Sequence, residues 1–97
     1  MAVLVLLEAT VKAECVGELQ SLLKQHFPEA RAYDGCQGIT AYLNVDDDRT
    51  LVVVQQWTTK EAHQRYMAWR RETGVQAQVA SIWEGPSTVR YFELVDA

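Results

Sequence analysis

Residues 50–69, TLVVVQQWTTKEAHQRYMAW, change their hydrophobic period half-way, and that change decides the fold. In TLVVVQQW, Leu51 and Val53 point to one side while Val52 and Val54 point to the other. This period of two, in a run rich in β-branched residues, predicts a strand. Thr58-Thr59-Lys60-Glu61 then has the T-x-x-E pattern of a capping box. The Thr58 hydroxyl is expected to accept from the Glu61 amide and open a helix. That helix is expected to run to about Thr73, with Gly74 closing it. Trp69, Ala62, Thr73 and Tyr66 share its apolar face. His63, Met67 and Arg70, spaced by four and three, share one flank of that face and are expected to be half-buried.

Upstream of this stretch, MAVLVLLEATVKA (1–13) also alternates, with Val3, Val5, Leu7, Ala9 and Val11 on one side and Leu4 and Leu6 on the other. From Cys15 to Phe27 the period lengthens. Cys15, Val16, Leu19, Leu22, Leu23, His26 and Phe27 fit one side of a helix that Pro28 is expected to end or kink. GITAYLNV (38–45) reads as a second strand and NVDDDRT (44–50) as a hairpin loop. Downstream, Val75, Val79, Ile82 and Trp83 give a weaker helical pattern. The turn EGPS and a last strand, TVRYFELV (88–95), follow. The order is β-α-β-β-α-β with a short extra helix. It predicts an α+β, ferredoxin-like domain with a four-stranded antiparallel sheet and its helices on one face.

The chain has 97 residues, which fits one domain spanning 1–97. A net charge of −4, with the acids interspersed, gives no electrostatic footprint for nucleic acid. Glu8 and Lys12 interrupt the N-terminal apolar run, so no membrane span is expected, and no basic residue precedes that run as a signal peptide would require. Cys15 and Cys36 stand alone, far in sequence from either histidine. No metal site is expected, and two reduced thiols fit the cytoplasm. No glycine-rich phosphate or dinucleotide motif is present, which agrees with a protein that uses no cofactor.

Helices can cover only one face of such a sheet, yet both faces are apolar here. Leu4, Leu6, Val52, Val54, Phe92 and Leu94 oppose the core-facing set. An uncovered patch of that kind is larger than monomers usually carry. A homodimer packed sheet against sheet is therefore expected.

In these features the chain resembles the antibiotic biosynthesis monooxygenase family of small dimeric α+β barrel proteins. The resemblance rests on Asp34-Gly35-Cys36 before the second strand, the loop Asp46-Asp47-Asp48, and Gln56-Trp57 followed by Thr59-Lys60-Glu61-Ala62. It extends from about residue 3 to 95 in element order. It implies a barrel formed by two sheets across a dimer, and cofactor-independent oxidation of quinols or polycyclic phenols by O2. Members often carry a histidine about nine residues after the tryptophan. Tyr66 holds that position here, and His63 lies one turn earlier. The haem-degrading relatives carry a histidine one residue further on, where this chain has Met67, and an asparagine that its first strand lacks.

The candidate catalytic residues are His63, Tyr66, Arg70 and Trp57. An unperturbed imidazole titrates near pH ~6.5, so His63 is the first candidate base, with Tyr66 second. Arg70 can hold an oxyanion, and the Trp57 indole can wall a flat substrate and donate its N–H. Trp57, Tyr42 and Met67 are the candidate binding residues for a small aromatic or hydrophobic molecule. The remaining aromatic and sulfur residues have structural readings. Trp69 and Trp83 are expected in the core, His26 as a buried neutral histidine with a backbone partner, and Cys36 as a small space-filler in a turn. Two alternatives stand beside the monooxygenase: a non-catalytic, stress-associated barrel that binds a hydrophobic metabolite, and a lactone or enol isomerase.

Overall fold

The computed structural model describes residues 2–97. Strand β1 (Val3–Thr10) leads through a single 3-10 turn (Ala13–Cys15) into helix α1 (Val16–Ala32). Strands β2 (Cys36–Leu43) and β3 (Thr50–Trp57) form a hairpin. Helices α2 (Lys60–Glu72) and α3 (Val75–Ala80) then return the chain to strand β4 (Thr88–Glu93). The sheet order is β2-β3-β1-β4 and every pairing is antiparallel. This is the ferredoxin-like α+β arrangement that the sequence predicts.

Register explains which residues meet the helices. Val5 lies opposite Gln55 on one side and Tyr91 on the other, and Ile39 also lies opposite Gln55. These four residues, with Leu7, Ala9, Leu51, Val53 and Trp57, therefore share the helix-facing side. There Val5, Ala9, Leu51, Val53, Ile39 and Trp57 are buried with Leu19, Ala30, Ala62, Tyr66, Ile82 and Trp83. On the other side Leu4, Leu6, Val52 and Val54 are only half-buried, and Phe92 and Tyr42 are exposed. Glu8 and Arg90 form an ion pair on that outer side.

Three local expectations are corrected. Of the two outcomes expected at Pro28, an end is not the one seen: helix α1 continues through it to Ala32. The ring frees only the Lys24 carbonyl, and both residues lie on the exposed side, where water can satisfy it. The cap of α2 is Thr59, not Thr58: the Thr59 hydroxyl accepts from the Ala62 amide at 3.0 Å. The Thr58 amide, which the expected capping box pairs with the Glu61 carboxylate, instead donates to the Gly35 carbonyl at 2.9 Å. Finally, β4 stops at Glu93, leaving Leu94 and Val95 outside the sheet and exposed.

Gly35 explains how the β2 entrance sits so close to α2. Its φ of 94° is open to glycine, and an added Cβ would lie 2.7 Å from the Ala62 Cβ and 3.1 Å from the Thr58 hydroxyl. Two residues before it, Tyr33 lies against Tyr66 and Trp69 of α2.

Candidate functional site

A cavity of about 170 Å³ lies between the helix-facing side of the sheet and the three helices. Leu7, Ile39, Val53 and Val89 from the strands, and Leu23, Phe27 and Val79 from the helices, make its lining mainly apolar. Its polar lining is His26, Gln55, Tyr66, Arg70, Gln76 and Ser87. A larger open groove, about 470 Å³, runs outside between α1 and the edge strand β2. The groove contains no buried polar side chain, so the chemistry is sought in the smaller cavity.

Helix α2 supplies most of the reactive groups. Its inward side is Ala62, His63, Tyr66 and Arg70, so the flank expected to be half-buried is in fact buried. Arg70 is only 4% exposed. Its Nε donates to the Tyr66 hydroxyl oxygen at 2.9 Å, one turn back along the helix. Its Nη2 donates to the His26 carbonyl at 2.7 Å, and its Nη1 lies 3.7 Å from the Glu29 carboxylate. The guanidinium also lies over the Trp69 ring, 4.7 Å from its centroid. A buried cation needs such partners, and these fix the fork in one position.

The consequence falls on Tyr66. Its oxygen accepts from Arg70, so its own O–H is free to donate. Among the described residues no acceptor takes that hydrogen. Burial raises the Tyr66 pKa, and the Arg70 hydrogen bond opposes that shift without reversing it. Tyr66 is thus a neutral phenol, polarised by a cation at the cavity wall.

His63 has a different environment. It is 1% exposed and does not line the cavity. Its ring packs edge-on to Trp57 at 5.5 Å between centroids, and its Nδ1 is joined to the Tyr91 hydroxyl by a 2.8 Å hydrogen bond. Burial lowers its pKa to about 4, so the ring is neutral at physiological pH. Trp57 is fully buried, and its indole N–H donates to Gln55 Oε1 at 3.0 Å. Tyr33 stacks on Trp69 at 5.1 Å and meets Tyr66 edge-on at 5.3 Å, which completes an aromatic cluster behind the cavity.

Of the sequence candidates, the structure therefore brings Tyr66, Arg70 and Met67 to the cavity. Trp57 and His63 stand behind it. Tyr42 is not brought there: it is 59% exposed on the outer side of β2, along the open groove. His26 is buried as expected, but its Nε2 partner is the Gln78 side chain at 3.1 Å. Its Nδ1 is buried without a hydrogen-bond partner, 3.8 Å from Glu29. Trp83 is buried, whereas Trp69 is only partly so.

Sequence reasoning passed over Gln55. It is 5% exposed, on the same side of β3 as Leu51, Val53 and Trp57. An amide on an otherwise apolar alternate stripe is the signal that could have found it. Tyr33 and Tyr91 were also passed over, and topology alone brings them to this cluster. Among the described residues, no group of His, Cys, Asp or Glu side chains could hold a metal ion, and no helix is long and apolar enough to cross a membrane.

The family model described as antibiotic biosynthesis monooxygenase matches residues 2–80. The chain belongs to this family. Solved structures agree on the fold of this monooxygenase family member. A crystal structure of an antibiotic biosynthesis monooxygenase superposes with a TM-score of 0.86 at 16% identity, covering 97% of this chain and 99% of that one. Rv0793 from Mycobacterium tuberculosis gives 0.84 at 22% identity, covering 100% and 98%. SnoaB from Streptomyces nogalater, a cofactor-independent oxygenase solved in a mutant form, gives 0.83 at 18% identity, covering 99% and 95%. A comparison with curated proteins gives no match. In this family member a phenol bonded to a buried guanidinium stands nine residues after the tryptophan.

Proposed function

We propose that the protein is a cofactor-independent monooxygenase that oxidises a quinol or polycyclic phenol with O2. The observation that carries this reading is the buried Arg70 donating to Tyr66 at the wall of an apolar cavity. A phenol entering the cavity loses its proton more readily where the resulting anion meets the Tyr66 O–H, backed by a fixed positive charge. The electron-rich anion passes an electron to O2, the two radicals couple, and the adduct releases water as a carbonyl forms. One oxygen atom stays in the product and the other leaves as water, with the substrate supplying all the electrons.

His63 fits poorly as the base in this scheme. Moving a proton from a phenol near pKa ~10 to an imidazole near 4 is uphill by roughly 8 kcal/mol. Proton loss is therefore driven by lowering the substrate's own pKa, with the proton passing to solvent water, while His63 and Trp57 hold the wall behind Tyr66. Two copies pack sheet to sheet, covering Leu4, Leu6, Val52, Val54 and Phe92. The free thiols of Cys15 and Cys36 suit a reducing compartment, the cytoplasm.

The same observation on His63 favours a second reading, in which the cavity binds a hydrophobic metabolite without turnover. Oxygen uptake with a panel of one- and two-ring hydroquinones and naphthols separates the two. The monooxygenase predicts uptake above the uncatalysed rate, with matched quinone formation. Arg70→Met is expected to lower turnover about 100-fold, and Tyr66→Phe by less. Binding of these compounds with no uptake across the panel would sink the oxygenase and leave the binding protein. Product formation without oxygen would point to an isomerase.

A further inference from the structure

We propose that Gln55 is a substrate-anchoring residue, whose amide N–H holds a ring oxygen of a one- or two-ring phenol beside Tyr66. The proposal rests on the cavity being the substrate site, and adds both the anchoring group and the size of the substrate.

The orientation of the amide follows from chemistry. An indole N–H can only donate, so the Gln55 atom 3.0 Å from Trp57 Nε1 must be the carbonyl oxygen. That bond fixes Nε2 on the opposite side of the amide. Among the described residues no acceptor takes the Nε2 hydrogens. Nε2 is nevertheless not sealed off, because His26 Nδ1 is the one side-chain nitrogen or oxygen there that is both buried and unpartnered. Gln55 lines the cavity while Trp57 does not. The open side of the amide is therefore the one that meets the cavity, where its N–H can be offered to a ligand oxygen. Val5 and Ile39 lie opposite Gln55 in the sheet, and both are apolar, so neither side chain can satisfy it.

Volume sets the ligand class. An apolar protein cavity near ~150 Å³ holds a benzene, and pockets for drug-sized molecules start near ~300 Å³. At about 170 Å³ this cavity takes one aromatic ring, or two if the flexible Met67 side chain shifts. Three or four fused rings do not fit. The donors at its wall, Gln55 Nε2 and the Tyr66 hydroxyl, select a ring that carries oxygen over a plain hydrocarbon.

The test is direct binding, read without turnover. 2-Naphthol and a four-ring phenol are titrated calorimetrically into the wild-type protein, Gln55→Glu and Gln55→Leu. Gln55→Glu keeps an acceptor for Trp57 and replaces the donor with a carboxylate. It is expected to bind 2-naphthol at least tenfold more weakly at pH 8. Affinity is expected to return toward pH 5, where a protonated carboxyl again offers a hydrogen. Gln55→Leu is expected to lose affinity at both values. Wild-type affinity for 2-naphthol is expected to exceed that for the four-ring phenol by more than tenfold. The anchor is overturned if Gln55→Glu, with an unchanged melting curve, binds 2-naphthol as the wild type does at pH 8. It is also overturned if the wild type does not bind 2-naphthol, and the size limit fails if the four-ring phenol binds equally well. Binding that depends on Gln55 without oxygen uptake would remove the oxygenase reading and keep this one. Oxygen uptake indifferent to Gln55 would do the reverse.

Discussion

On the helix side of the sheet, two sets of specific bonds stand side by side: indole to amide between Trp57 and Gln55, and from the Arg70 guanidinium to the Tyr66 phenol and the α1 backbone. On the other side, Leu4, Leu6, Val52, Val54 and Phe92 belong to the same strands but meet no second layer of this chain. The first side is specified atom by atom, and one lost partner strands a buried polar group. The second is specified by area alone, so many apolar residues would serve there equally well. One sheet thus carries two kinds of constraint, separated by the period-two alternation of its strands.

The comparison is tested most severely by cutting one aromatic from each side. Trp57→Ala is expected to cost about 3–5 kcal/mol in urea denaturation, because the ring is wholly buried. Phe92→Ala, on a ring already partly in water, is expected to cost under about 1 kcal/mol in the isolated chain. Similar costs for the two would erase the distinction.

The next largest effect is expected from His63. Its folded pKa, about 4, lies below the ordinary value of ~6.5, so the unfolded chain takes up the proton first as pH falls. Stability should be flat with respect to this group above pH ~6.5. It should drop by at most about 3 kcal/mol on the way down to pH 4, and level off below that. His63→Gln should remove that part of the slope. An unaltered profile in the variant would place the acid sensitivity elsewhere.

A smaller change sharpens the local reading of α2. Thr59→Ala is expected to cost about 1 kcal/mol and Thr58→Ala clearly less, since only Thr59 caps the helix. The gentlest intervention on folding is Leu6→Lys on the outer side. It should leave the circular dichroism spectrum unchanged and, on the proposed sheet-to-sheet pairing, sedimentation equilibrium should report a single chain where the wild type gives two. A variant that still sediments as two chains would move the contact away from this face.

The strands and α2 were legible because alternation and capping are local signals. The cap was misplaced by one residue because the Gly35 carbonyl, distant in sequence, claims the Thr58 amide. At Pro28 the local rule allowed an end or a kink, and the helix does not end because exposure lets water meet the freed carbonyl. In the site, Tyr66 and Arg70 were legible as an i, i+4 pair on α2. The burial of Arg70 was not, since its stabilising partners on α1, the His26 carbonyl and Glu29, lie more than 40 residues earlier in the chain. Gln55 shows a missed opportunity of another kind, because its place on an apolar stripe was already visible in the order of residues.

Gly35 carries a consequence for how this chain can change over generations. A side chain at that position would meet Ala62 and Thr58 and would also need a backbone angle that L residues avoid, so two independent faults would have to be repaired together. Gly38, three residues on, has open space where a Cβ would go. Drift and deliberate redesign are thus steered toward β2 itself and the hairpin of residues 44–49. The entrance to that strand stays fixed, and the aromatic wall behind the cavity is inherited along with it.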